Sequence, residues 1–225
     1  MYSDWAMDSA PPPNVPDTLI PGSSVWRART AGSGDIGGWV QLGADANAPR
    51  TPPSLYSFVY PNGMVDGASP ANIWTQLPDF NEVYIGFWWK VSDPWQYHTV
   101  GDKLGYLWAG ANDMFLIQYG SPPKVAAYVQ FTTGEWLYPN VTSTTITRGV
   151  WHLVELYAQY IPGQKGRIKW WVDGKLQGDY KSWNTGGIGG PFYQWMFDPV
   201  WGGNDGSVKH ETDSFSFDDV HISGR

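Results

Sequence analysis

Apolar residues alternate with polar or aromatic ones at a spacing of two along most of this chain. No segment sustains the roughly 3.6-residue apolar period of a helix. In 82–91, Val83, Ile85, Phe87, Trp89 and Val91 fall on one face and Tyr84, Gly86, Trp88 and Lys90 on the other. In 152–160, Val154, Leu156 and Ala158 oppose Glu155, Tyr157 and Gln159. In 167–173, Ile168, Trp170 and Val172 oppose Arg167, Lys169 and Trp171, and in 126–131, Ala127, Val129 and Phe131 oppose Tyr128 and Gln130. Runs of this kind, broken by Gly, Pro, Asn and Asp, predict strands near 24–29, 37–42, 54–60, 72–77, 82–92, 103–109, 113–119, 124–132, 135–138, 150–160, 166–173, 176–181, 192–198 and 212–223. Asp173-Gly174 is a two-residue hairpin signal. Phe215 and Phe217 are out of phase with Val220 and Ile222, and one extra residue at Asp218–Asp219, a β-bulge, restores both.

The expected fold class is all-β: a jelly-roll β-sandwich of two antiparallel sheets. Residues 1–22, Pro-rich and aperiodic, read as an extended lead-in or linker remnant, and 23–225 as one domain. Composition agrees: 225 residues suit one β-sandwich, 27 Gly and 18 Pro suit many turns, and only 16% of residues are charged. A net charge of −7 argues against nucleic acid as a partner, because phosphate binding needs a basic face. The absence of cysteine excludes disulfides, zinc–thiolate sites and a cysteine nucleophile. No apolar run reaches the length of a membrane span. The first thirty residues lack the apolar core of an export signal; the expectation is a secreted domain whose signal has been removed, working as a monomer.

The 15 Trp exceed what a core of this size needs, so some are expected at the surface, where exposed indoles serve binding. Rings beside amides and a few charges suit sugars, whose C–H faces stack on aromatics while their hydroxyls take the polar partners. The expected partner is therefore an extended polysaccharide in an aromatic-lined groove. Tyr84, Trp88, Tyr128, Gln130, Gln159, Lys169 and Trp171 are the candidate substrate-binding residues.

The segments NEVYIGFWWKVSDPWQYHTVGDKLGYLW, WHLVELYAQYIPGQKGRIKWWVDGKL and ETDSFSFDDVHISG resemble the concanavalin A-like lectin/glucanase superfamily. More narrowly, they resemble the polysaccharide-lyase-like jelly rolls related to heparin lyase I and glucuronan lyase, over residues 54–224. The resemblance implies a concave sheet holding the glycan, with the Trp88–Lys90 strand in it. It also implies a structural Ca²⁺ on the opposite side, liganded by Asp218 or Asp219 of the last strand. It does not decide activity, since that superfamily hosts lyases, hydrolases, lectins and non-catalytic modules.

Three chemistries and one structural role stay open. A lyase acting by β-elimination needs a neutraliser for the uronate carboxylate, a base and an acid. Lys90 and Lys169, with Gln130 or Gln159, supply the first; Tyr157, Tyr84 or Tyr128, joined by His98 from a loop, supply the others. A hydrolase needs two carboxyl groups about 5–10 Å apart, and only Glu155 lies well inside a strand on a polar face, without the Glu-x-Asp-x-x-Glu motif of laminarinases. A carbohydrate-binding module needs only the aromatic and amide groups. A structural or adhesion jelly roll needs no exposed indoles. The catalytic candidates are Tyr157, Lys90, Glu155 and His98.

Overall fold

The computed structural model describes residues 1–7, 9, 17–21, 23–29, 39–50, 54–110, 112–130, 134–163, 166–183 and 189–225. Among them it forms two packed antiparallel sheets and no helix. The first sheet runs β14 (Lys175–Trp183), β13 (Gly166–Val172), β12 (His152–Gln159), β7 (Glu82–Val91), β16 (Asp213–Gly224), β5 (Ser54–Tyr60) and β4 (Trp39–Ala44), with β1 (Ser3–Trp5) added onto β16. The second runs β11 (Glu135–Leu137), β10 (Lys124–Gln130), β9 (Asn112–Tyr119), β8 (Asp102–Ala109), β15 (Phe192–Phe197), β6 (Asn72–Phe80), β3 (Trp26–Arg29) and β2 (Thr18–Leu19). This is the expected jelly-roll sandwich.

Alternation placed the core faces. Val83, Ile85, Phe87, Trp89 and Val91 are all buried, as are Val154, Leu156, Ala158, Ile168, Trp170 and Val172. The hairpin turn forms at Asp173-Gly174, both with positive φ (52° and 70°), as a two-residue turn matching the twist of its strands requires. The bulge forms too. Pairing with β7 shifts register between Asp218 and His221, and Asp219 takes φ 48°.

Two expectations need correction. Residues 1–22 carry two short strands that join the sheets, and Trp5 and Met7 are buried. Strands of two or three residues leave no periodic signal, which is why this segment reads as a lead-in. The tryptophan excess is also smaller than it looked: eight of the fifteen, Trp5, Trp26, Trp74, Trp89, Trp95, Trp170, Trp195 and Trp201, are buried. Several find backbone or side-chain acceptors, Trp170 Nε1 donating to Val125 O at 3.0 Å and Trp201 Nε1 to Gln96 O at 2.9 Å.

Candidate functional site

The predicted site residues divide between the two outer faces. Tyr84, Trp88 and Lys90 on β7, Glu155, Tyr157 and Gln159 on β12, and Lys169 and Trp171 on β13 share the outer face of the first sheet. Tyr128 and Gln130 on β10 lie on the second sheet. They cannot line one groove, because the hydrophobic core separates the two faces.

On the first sheet the polar groups satisfy one another. Lys90 pairs with Asp45, which also accepts from Trp151 Nε1 at 3.0 Å, and Lys90 Nζ lies 5.0 Å from the Trp151 ring centroid. That hydrogen bond from Lys90 holds the Asp45 carboxyl below its ordinary range. A uronate would therefore compete with an existing partner for Lys90. Gln159 donates to Glu82 at 2.7 Å, and Arg225 binds the same carboxylate at 2.9 Å. Tyr84 donates to Glu155. Burial and then Glu155 push the Tyr84 hydroxyl well up, and burial and then Glu82 push Tyr157 up, the direction opposite to what a base requires. Glu155 faces Gly86 and Trp171 across its two ladders, so neither cross-strand partner gives it the second carboxylate of a hydrolase.

His98 does not reach this face. It is buried in the loop after β7, edge-on to Trp201 at 4.9 Å, with Asp66 and Asp205 beside it. Its sequence neighbours gave no sign of these partners, which come from segments more than thirty and more than a hundred residues away.

The outer face of the second sheet is organised differently. Cross-strand register aligns Trp136, Tyr128, Phe115, Tyr106, Met196, Trp74 and Arg27 in one row over β11, β10, β9, β8, β15, β6 and β3. Beside it runs a second row, Gln130, Asp113, Trp108, Gln194 and Gln76. Six steps of about 4.8 Å make the first row roughly 29 Å long. Its rings touch in sequence: Tyr128 and Trp136 at 5.3 Å, Phe115 and Tyr128 at 5.0 Å, Tyr106 and Phe115 at 4.9 Å. A hollow of about 370 Å³ opens over Tyr106, Phe115, Tyr128 and Trp136, walled by Lys103 and Asn204. Another of about 240 Å³ lies at the far end of the row, between Arg29, Asn72, Trp74, Gln194 and Met196.

Charge is sparse here and placed at both ends. Arg29 donates from Nε and Nη2 to Asn72 Oδ1 at 3.1 and 2.9 Å, and Asn72 in turn donates to Asp198. Lys103 donates to Gly202 O, and burial lowers its pKa. Asp113, between Trp108 and Gln130, keeps Oδ1 without a hydrogen-bond partner. Burial, then the charge of Asp198, push its carboxyl up to about 7.

Sequence reasoning named Tyr128 and Gln130, as part of one groove with Trp88, and did not name Tyr106, Trp108, Asp113 or Phe115. The pairing shift between Lys103 and Gly105 breaks the alternation of β8, and the middle of β9, Met114 to Ile117, is apolar on both faces. Neither strand displays the polar-aromatic pattern that marked the others.

Asp218, expected to bind Ca²⁺, is fully buried on β16, and neither carboxylate oxygen has a hydrogen-bond partner. Burial, then the charge of Asp219, raise its pKa to about 6; the backbone amides of Asp219 and Arg50 oppose this without completing a hydrogen bond. An orphaned buried carboxylate fits one oxygen ligand of a hard cation. Asp219 fits less well, because it is ion-paired with Arg50.

The two-sheet jelly-roll architecture resembles that of solved alginate and glucuronan lyases. A glucuronan lyase from the fungus Trichoderma reesei superposes with a TM-score of 0.63 at 13% identity, over 93% of this chain and 94% of that one. The alginate lyase vAL-1 from Chlorella virus gives 0.62 at 12%, over 84% and 92%. An alginate lyase mutant in complex with alginate trisaccharide gives 0.62 at 13%, over 76% and 82%. At such identities the likeness shows the fold alone. No known family profile matches the sequence, and no curated protein matches it. Among the described residues no helix is long and apolar enough to cross a membrane.

Proposed function

We propose that this chain binds an extended, uronate-bearing polysaccharide across the outer face of its second sheet and cleaves it by β-elimination. The observation that carries the reading is the aromatic row from Trp136 to Trp74, crossing the strands beside a parallel row of amides and Asp113. The partly exposed Trp136, Tyr128 and Trp108 offer sugars stacking faces over a floor of buried Phe115, Tyr106 and Trp74, and the neighbouring amides take their hydroxyls. Arg29 at one end and Lys103 at the other supply cations for carboxylates without making the groove broadly basic. The structural neighbours are named for action on alginate and glucuronan, both polyuronates, which supports the substrate class.

In β-elimination a carboxylate is neutralised, the proton at C5 is removed and the leaving oxygen is protonated. Gln130, with Lys103 in the same hollow, suits the first role. Asp113, whose carboxyl is poised near neutrality and lacks a partner on Oδ1, suits proton exchange, with the Tyr128 hydroxyl as its counterpart in the adjoining row. Secretion and a monomeric state accord with a polymeric extracellular substrate and belong to the same proposal.

The test is incubation with a panel of polyuronates and neutral polysaccharides, followed by ultraviolet absorbance and by reducing-end release. Rising absorbance on a polyuronate reports the unsaturated uronate and supports the lyase. Reducing ends without absorbance overturn it for hydrolysis. Silence in both, with retention of the glycan, reduces it to binding. That second reading is favoured by one feature: Arg29 is already held by Asn72.

A further inference from the structure

His98 is buried, and the structure puts its Nε2 in an unusual place. The atom has no hydrogen-bond partner, yet lies 3.7 Å from Asp66 Oδ2 and 3.5 Å from Asp205 Oδ1. These distances are too long for hydrogen bonds. They are close to the spacing of two ligands around a shared zinc-sized ion: bonds of about 2.1 Å at the tetrahedral angle separate the ligand atoms by roughly 3.4 Å. One atom from each of the three residues falls within 4.8 Å of the others. We propose that Asp66, His98 and Asp205 form a binding site for a divalent cation of the zinc class, which clips the 202–207 turn to the 64–68 segment at one end of the groove.

The site is built around the ligands. Asp66 is oriented by the turn it faces, Oδ2 accepting the Asp205 amide at 2.8 Å and Oδ1 the Gly206 amide at 3.0 Å. Asp205 Oδ1 accepts the Ser207 amide at 2.9 Å. Each of these oxygens keeps a second lone pair. The His98 ring is wedged against Trp201 on one side and Gly202 on another, where a Cβ would stand 2.5 Å from the ring; Gly202, with φ +71°, is what lets the backbone approach. The bridges Ala68–Trp201 and Val65–Val208 bring the two segments together.

One imidazole nitrogen with two carboxylate oxygens is a donor set for zinc and its neighbours rather than for calcium, which takes oxygen ligands. The Val100 amide donates to His98 Nδ1 at 3.2 Å, which sets the ring proton on Nε2, between the two carboxylates. A cation takes the place of that proton, which shifts to Nδ1 and ends the long contact from Val100. Asp205, about half exposed, gives the ion an entry path and closes the last part of the coordination sphere. The neighbouring Gly67, Gly203 and Asn204 line the larger hollow, so the ion would fix one wall of the groove.

The test uses metal-stripped protein titrated calorimetrically with Zn²⁺ and, separately, with Ca²⁺, alongside thermal melts. The expected result is one Zn²⁺ per chain, bound tighter than micromolar, with a raised Tm. Asp205→Asn keeps an oxygen for the Ser207 amide and should weaken Zn²⁺ by about tenfold or more, leaving the metal-free Tm and any Ca²⁺ response unchanged. His98→Gln should abolish Zn²⁺ binding; if that buried variant fails to fold, Asp205→Asn decides alone. No Zn²⁺ binding, or Zn²⁺ binding unaltered by Asp205→Asn, overturns the proposal.

Discussion

Trp88 and Asp218 stand directly opposite each other, cross-strand partners in the β7–β16 pair. The expectation from sequence placed Trp88 in the glycan groove and Asp218 at a cation on the opposite side. The pairing makes the two incompatible, since both residues belong to one sheet. Asp218 is buried and orphaned as a cation ligand would be, which supports the proposal of a groove on the other sheet. Tyr128→Ala and Trp108→Ala should each weaken glycan binding by about tenfold or more, the loss expected of an aromatic anchor, while Trp88→Ala leaves affinity within about twofold. Affinity electrophoresis against a polyuronate measures all three. The reverse ranking would return the groove to the first sheet.

Asp113 ties that groove to pH. Its carboxyl is raised from 3.8 to about 7, so the folded state favours the protonated form. The stability it contributes is fully present below about pH 4 and is lost as pH rises through about 7, to at most about 4 kcal/mol. Asp113→Asn mimics the protonated acid at every pH. It should raise the Tm at pH 8 by several degrees and leave it nearly unchanged at pH 4. If Asp113 also exchanges protons with substrate, the same variant loses turnover and keeps glycan affinity. A melt unchanged at pH 8 would mean that the carboxylate is better solvated than its burial indicates.

Asp218 gives an independent test of calcium. Its carboxyl is raised to about 6, so above that pH a charge is buried that Arg50 only partly offsets. Calcium at a hundredfold over its Kd should stabilise the fold by about 2.7 kcal/mol, and a chelator should reverse the gain. Asp218→Asn should raise the Tm of the metal-free protein and abolish the calcium response. Calcium stabilisation that survives Asp218→Asn would place the ion elsewhere.

The faces of β7, β12 and β13 were legible in the sequence because each strand alternates cleanly, and so were the Asp173-Gly174 turn and the Asp218 bulge. Which sheet each strand joined was not legible. Alternation fixes what points inward, but β7 and β10 carry the same polar-aromatic signature while standing on opposite sides of the core. The Trp136-to-Trp74 row is a property of register among strands from distant parts of the chain, and no local window contains it. The partners of His98 are hidden for the same reason. Lys90 shows the complementary error: its charge was visible, but its neutralisation by Asp45, just past the end of β4, was not.

Behind the groove wall lies a buried ion pair whose removal should be felt in the groove. Lys209 and Asp213 meet at 2.7 Å with both side chains fully buried. The ammonium sits 4.2 Å from the Trp95 ring, 4.6 Å from Trp201 and 5.3 Å from Tyr60. Desolvation of two charges is offset here by contact, three aromatic faces and the Gln96 amide on Asp213 at 3.0 Å. Lys209→Met or Asp213→Leu alone strands the partner's buried charge and should cost about 3–5 kcal/mol. The double variant Lys209→Met, Asp213→Leu removes both and should cost clearly less than the sum of the single changes. Urea denaturation of the four proteins measures the coupling. Lys209 also packs against Trp201, the neighbour in sequence of Val200, Gly203 and Asn204, which line the larger hollow. Either single variant should therefore weaken glycan binding as well as stability, and the double variant should recover part of both. If affinity is untouched while stability falls, this segment holds its shape without the pair, and the groove wall rests on its bridges to Val65 and Ala68 instead.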